Sequence, residues 1–168
     1  MKPRSRSAAA YVGQGGFIAA LYVILTLLSN AFGLANGAVQ VRVSEALTIL
    51  PAFTSAAIPG LFVGCIVSNT LTGAILPDII FGSLATLAAA YVTYFLRNKS
   101  RFLAPVPPIV ANTLVVPLVL KYAYKLDGTV PFMALTVFVG EFISCGILGM
   151  LIYPFFKKMS LREPHSAM

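Results

Sequence analysis

Charge is what this sequence has least of. Only 10% of its 168 residues are Asp, Glu, Lys or Arg, where a soluble domain carries about a quarter. Acidic residues number five, against twelve Lys and Arg. There is one histidine, His165, in a polar tail, and there are two cysteines, Cys65 and Cys145, each inside an apolar run. These shortages exclude chemistry. With no histidine in an apolar segment there is no HExxH helix and no Ser/His pair, and no glycine-rich phosphate loop is present. The cysteines lack metal-ligand neighbours in sequence and read as buried free thiols behaving as small hydrophobes. No catalytic constellation, cofactor or metal is expected, and a small membrane enzyme is disfavoured.

What is present is hydrocarbon. Hydrophobic residues make up 58% of the chain and mean hydropathy is +0.89. That composition reads as an all-α integral membrane protein with little mass outside the bilayer and no room for an ATPase domain. The net charge of +7 does not indicate nucleic acid. The basic residues sit at the ends of apolar runs: Lys2, Arg4 and Arg6; Arg97, Lys99 and Arg101; Lys157, Lys158 and Arg162. Cytoplasmic loops show this pattern under the positive-inside rule. The first apolar run lacks a small-residue cleavage site and reads as a helix rather than a signal peptide.

The chain then divides into a basic tail, 1–10, a membrane domain, 11–158, and a second tail, 159–168. A first span runs from about Tyr11 to Phe32, followed by a loop with Gly33, Asn36 and Gly37. The next apolar block, Ala46 to Leu76, is too long for one helix and short for two full ones, since a span takes about 20 residues. Charge decides the case: only two crossings put all three basic clusters on one side. Two short helices meeting near Phe53 to Ala57 are predicted, with Pro51 and Pro59 favouring the break. Further spans cover Pro77–Leu96, Pro105–Tyr124 and Pro131–Phe156. The expectation is six transmembrane helices with both termini cytoplasmic.

Within that frame the few polar residues gather towards the outer side. Asn30, Gln40, Arg42, Glu45, Asn69 and Asp78 fall at outer helix ends or loops, level with Tyr122 and Tyr124. Glu141 lies about 15 Å into the last helix, near mid-membrane, with Ser144 a turn below and Asn112 in the preceding span. An ionisable group at such depth costs about 2.5–3.5 kcal/mol on insertion scales and so needs a function or a partner. Simpler explanations exist for several. Arg42 and Glu45 are spaced to pair with each other. Asp78 follows Pro77 at a helix start, where a carboxylate caps. Asn69 suits a helix end, and Asn112 an interhelical hydrogen bond. Glu141, between Val139-Gly140 and Phe142-Ile143, has no such explanation nearby. Small residues also recur at spacing four: Gly15 with Ala19, Gly16 with Ala20, and Gly60 with Gly64. These suit close helix approach, either internal or onto a separate membrane subunit.

Several blocks together resemble the QueT family: Val41-Arg-Val-Ser-Glu-Ala-Leu-Thr-Ile-Leu-Pro51, Ile58-Pro-Gly-Leu-Phe62 with Asn69, Asp78-Ile-Ile-Phe-Gly-Ser-Leu-Ala-Thr-Leu87, Pro107-Pro108 with Asn112, and Gly140-Glu141-Phe-Ile-Ser144. The similarity runs from about Gly16 to Lys158. It implies the six-helix fold of a substrate-binding S component of an energy-coupling factor (ECF) transporter in a bacterial cell membrane. It implies queuosine precursors as ligands (preQ0, preQ1 and queuine), and as partners a membrane scaffold T component and two ATPases. The resemblance also implies an S component that tips over in the membrane to deliver its ligand. Ligand-binding residues expected on this reading are Glu141, Asp78, Arg42, Glu45, Asn69, Gln40, Asn112 and Ser144; Gly15, Gly16, Ala19 and Ala20 are expected to dock the scaffold. Two other readings keep the same architecture or a related one: an S component for a different vitamin, and a self-sufficient ion-coupled carrier with Glu141 and Asp78 as proton sites.

Overall fold

The computed structural model describes residues 8–34 and 39–162, with side chains as far as residue 158. Lys2, Arg4, Arg6, Asn36, Gly37 and His165 lie outside the described residues. The described residues form helices joined by short turns: α1 Ala8–Ala31, a 3-10 helix Val43–Ala52, α2 Ala57–Leu71, α3 Leu76–Leu96, a short 3-10 turn Arg101–Leu103, α4 Val106–Tyr122, α5 Val130–Glu141, a π-helical segment Phe142–Leu148, and α6 Gly149–Arg162. The last three follow one another without a break, so that Val130–Lys158 forms one long apolar rod.

Four helical stretches among the described residues are long and apolar enough to cross a bilayer: Ala8–Ala31, Leu76–Leu96, Arg101–Tyr122 and Val130–Lys158. This makes the protein a multi-pass membrane protein. The predicted first, fourth, fifth and sixth spans coincide with these to within a few residues. The second and third are shorter helices, Val43–Ala52 and Ala57–Leu71, separated at 53–56 where the two-helix reading put the break. The prolines act differently from that reading. Pro51 lies inside the 3-10 helix and Pro59 in the first turn of α2, where a missing amide hydrogen costs little.

The 3-10 helix is the pillar of the bundle. All eight residues from Ser44 to Pro51 are buried. It runs antiparallel to α1: Val43 N–H donates to Ser29 Oγ at 2.9 Å, Thr26 Oγ1 to Ser44 Oγ at 2.8 Å, and at the other end Thr54 Oγ1 to Gln14 Oε1 at 3.0 Å. Gln14 to Ser29 spans about 22 Å of α-helix, and ten residues of 3-10 helix cover about 20 Å. The tighter winding therefore lets a short segment run the length of its neighbour, and its slimness lets α1, α3, the π segment and α6 all close on it.

α2 returns alongside α1 in parallel. The contact is made by small residues: a Cβ placed on Gly60 would lie 2.7 Å from the Gly15 carbonyl oxygen, and one on Gly64 3.0 Å from Tyr22 Cβ and 3.1 Å from the Ala19 carbonyl oxygen. Glycine is required there by close approach. It is required by conformation where α1 and α2 end. Gly33 (φ 71°) and Gly73 (φ 77°) are left-handed, and Leu34 N–H bonds Ser29 O at 2.9 Å as Ala74 N–H bonds Asn69 O at 2.9 Å. Both are Schellman closures.

Polarity is distributed inside-out. Phe17, Phe32, Leu76, Phe95, Leu114, Leu151 and Phe155 are exposed, while Thr26, Ser44, Glu45, Ser68, Asn69, Thr93 and Asn112 are buried. In lipid an exposed Phe has nothing to escape from, so packing and interhelical hydrogen bonds hold the bundle, the latter at about 0.6 kcal/mol each. Ile18, Tyr22, Leu47, Leu50, Ile58, Leu61 and Cys65 form the packed core, with Phe53 and Phe156 against it.

Candidate ligand cavity

A cavity of about 350 Å³ opens among α1, the start of the 3-10 helix, α2, α3, α4 and α5. Its mouth is built by the ends of helices. Asn30, Gln40, Thr72, Gly73, Ala74 and Leu126 line it there, while Glu45, Cys65, Thr86, Asn112 and Glu141 line it deeper in. Seven of the eight residues expected to bind ligand line this one cavity: Gln40, Arg42, Glu45, Asn69, Asp78, Asn112 and Glu141. Ser144 does not. It is buried in the π segment, and its Oγ has no hydrogen-bond partner among the described residues.

Arg42 and Glu45 do not pair with each other. Arg42 donates to Asn69 Oδ1 at 3.3 Å, and Glu45 Oε1 accepts the Tyr22 hydroxyl. Arg42 is the extended residue before the 3-10 helix (φ −104°, ψ 109°), so a spacing of three does not stack it on Glu45. Asp78 lies in the first turn of α3 but makes no side-chain cap. It accepts from Tyr124 Oη at 2.9 Å, and Tyr124 Oη in turn accepts the Ile75 amide at 3.3 Å. Burial raises the Tyr124 pKa above its usual value. Asn69 is a buried residue near the end of α2 and reaches Cys65 Sγ at 3.6 Å as well as Arg42. Asn112 does form an interhelical bond, and its partner is Glu141: Nδ2 to Oε1 at 2.8 Å.

Glu141 is held on both oxygens, by Asn112 and by the Cys145 thiol, which reaches Oε2 at 3.1 Å. Cys145 is also 3.4 Å from Thr48 Oγ1 and 3.4 Å from the Glu45 carbonyl oxygen. The thiols are free and buried as expected, but Cys145 has acidic company: Glu141, four residues before it, and Glu45, brought from the 3-10 helix. A carboxylate oxygen of Glu45, one of Glu141 and the Cys145 sulfur lie within 4.8 Å of one another. Two features bring them together. Cys145 follows Glu141 by four, a spacing that sets the two on one helix face, at the junction of α5 and the π segment. Gly140 also lets the chain at Gln40 lie against α5: any Cβ there would overlap the Gln40 carbonyl oxygen. Tyr22 and Cys145 are residues that reading by depth passed over. Each belongs to a run where an aromatic or a thiol looks like ordinary core, and of the two only Cys145 carries a local signal, Glu141 four positions before it. Tyr124, expected at the outer level, lines the cavity. Tyr122, expected at the same level, is exposed and lies outside the cavity.

The cavity thus carries three carboxylates and one guanidinium in a chain whose overall charge is +7. It favours a ligand that is rich in donors.

Over residues 12–158 the chain matches the family described as QueT transporter. It belongs to the QueT family. A relative from Lactococcus lactis subsp. cremoris (strain MG1363), "Queuosine precursor transporter QueT", is 40% identical over 70 residues, 42% of this chain. That alignment spans 41% of the relative's own length. No solved structure matches the chain.

The four expected docking residues divide in two. Gly15 and Ala19 face Gly60 and Gly64 of α2. Gly16 and Ala20 are exposed, and nothing lies within 4 Å of a Cβ built on Gly16.

Proposed function

We propose that this protein is the substrate-binding S component of an ECF-type importer in a bacterial cell membrane. On this reading it is not an enzyme. It captures queuosine precursors of the 7-deazaguanine class in the 350 Å³ cavity. The observation that carries the reading is the acidic, donor-seeking cavity at one end of a bundle that belongs to the QueT family.

A 7-deazaguanine presents N1–H and the 2-amino group side by side, and one carboxylate accepts both. Asp78 and Glu141 are the candidates for that edge. Its carbonyl oxygen needs a donor, and Arg42, Gln40 and the Asn69 amide are in the lining. The 3-10 helix and α2 are each read as a membrane crossing. The six passages then put both termini, Arg97–Arg101 and Lys157–Lys158 on the cytoplasmic side and the cavity on the outer side. The antiparallel run of the 3-10 helix along α1 supports this. The membrane scaffold and two ATPases supply the energy, and the scaffold docks on α1 over the exposed Gly16 and Ala20.

The test is binding and transport by the same protein. Purified protein should bind preQ1, preQ0 or queuine and ignore riboflavin, thiamine and biotin. Proteoliposomes should take up the ligand only when the scaffold and ATPases are present with ATP. Uptake by this chain alone, driven by a proton gradient, would instead make it an ion-coupled carrier.

A further inference from the structure

The deep end of the cavity contains a polar atom that the fold does not satisfy. Glu45 is 3% exposed, and its Oε2 has no hydrogen-bond partner among the described residues. Its other oxygen is already taken by Tyr22. Glu141 stands opposite, the two carboxylates and the Cys145 sulfur lying within 4.8 Å of one another. A buried acceptor left without a donor is costly, and two carboxylates so close disfavour each other's charge. Arg42, the basic residue in the lining, is hydrogen-bonded to Asn69 and to neither acid. The arrangement lacks a cation with donors.

Two kinds of cation compete for such a place. A divalent metal would use Cys145 as a thiolate. Yet Cys145 Sγ lies 3.4 Å from the Glu45 carbonyl oxygen and 3.1 Å from Glu141 Oε2, both acceptors. That is the setting of a protonated thiol donating, and it would repel a thiolate. An ammonium needs no sulfur ligand. It has three donors on one point and can reach single oxygens on different residues. Glu45 offers one open oxygen, which suits a point donor and does not suit a flat two-donor edge.

We propose that Glu45 and Glu141 together receive a protonated amine on the arm of the ligand. The site then selects 7-deazaguanines with a cationic arm over neutral ones, and leaves Asp78, steadied by Tyr124, to read the flat edge. This rests on the deazaguanine reading above.

The experiment is calorimetric titration of the purified full chain with three ligands. They are 7-aminomethyl-7-deazaguanine, the neutral 7-cyano compound, and the aminomethyl compound acetylated on its amine. The amine should bind about 30-fold or more tighter than either neutral ligand, as expected for a buried charge pair. Glu45→Gln, which keeps an oxygen for Tyr22, should reduce that preference to about threefold or less. The ligand series on the unaltered chain decides the matter even if this variant folds poorly. Equal binding of the amine and the nitrile would overturn the inference and leave the proposed function standing. Stabilisation of the unaltered protein by Zn²⁺ with loss of amine binding would also overturn it, in favour of a metal. Failure of the folded chain to bind any deazaguanine would sink the proposed function itself.

Discussion

The two ends of the central 3-10 helix do different work. At its start, Ser44 and Glu45 meet Tyr22, Thr26 and Cys145, and the neighbouring space is the cavity. Towards its end, Leu47 and Leu50 meet Ile18, Leu61 and Ala90, with Phe53 against Tyr153 at 4.8 Å between ring centroids. One end is polar and leaves a carboxylate oxygen unsatisfied; the other is apolar and closed. Rigidity comes from the closed end, which fixes the helix so that the other can hold unmatched acids in place. The comparison teaches that burial alone does not identify a site here. Both ends are buried, and of the two only the start has a buried side-chain oxygen without a partner among the described residues, Glu45 Oε2.

Substitutions at the two ends should therefore separate binding from stability. The largest effect is expected from Glu141→Gln at the polar end. Ligand affinity should fall by about 100-fold or more, the loss expected when a buried charge partner is removed, while the melting temperature stays within a few degrees. Isothermal titration and a thermal melt on one sample check both. Leu50→Ala at the closed end should do the reverse. It should lower stability by about 2–5 kcal/mol as a cavity-forming change, with affinity of the folded fraction nearly unchanged, read by denaturant titration in micelles. If Leu50→Ala costs affinity before it costs stability, the division between the ends is wrong.

Small residues on α1 allow a finer cut. Gly60→Leu should destabilise the bundle, because Gly15 O and Ile18 occupy the space. Gly16→Leu should leave both stability and ligand binding intact and abolish ATP-driven uptake with the scaffold present. Equal loss of binding and transport in Gly16→Leu would indicate misfolding and remove the docking surface. A smaller effect belongs to Tyr124→Phe, which takes one hydrogen bond from Asp78. Affinity should drop by about five- to tenfold, the worth of one ordinary hydrogen bond. Ser144→Ala, away from the cavity, should change affinity by less than about twofold.

Much of this organisation was legible in the sequence. Scarcity of charge revealed the membrane, and the basic clusters required that Ala46–Leu76 be two helices. Cost at depth pointed to Glu141, and position along the helices put Asp78, Asn69 and Arg42 at one end. Three things were not legible, for physical reasons. The slender 3-10 form of Val43–Ala52 is dictated by crowding from four neighbouring elements, which no local pattern encodes. Arg42 and Glu45 looked like a pair because spacing of three pairs residues on an α-helix; the actual partners, Asn69 and Tyr22, come from α2 and α1. Ser144 and Cys145, three and four positions after Glu141, are both its neighbours by helical spacing, and it is the thiol that reaches the carboxylate.

Whether the acidic cavity is the ligand site is tested most directly by a ligand-bound structure. A 7-deazaguanine is expected inside the cavity lined by Arg42, Glu45, Asp78 and Glu141, with at least one carboxylate on the base and its N1–H and 2-amino group paired. A ligand bound elsewhere on the bundle, with this cavity empty and Glu45 Oε2 still without a donor, would contradict it.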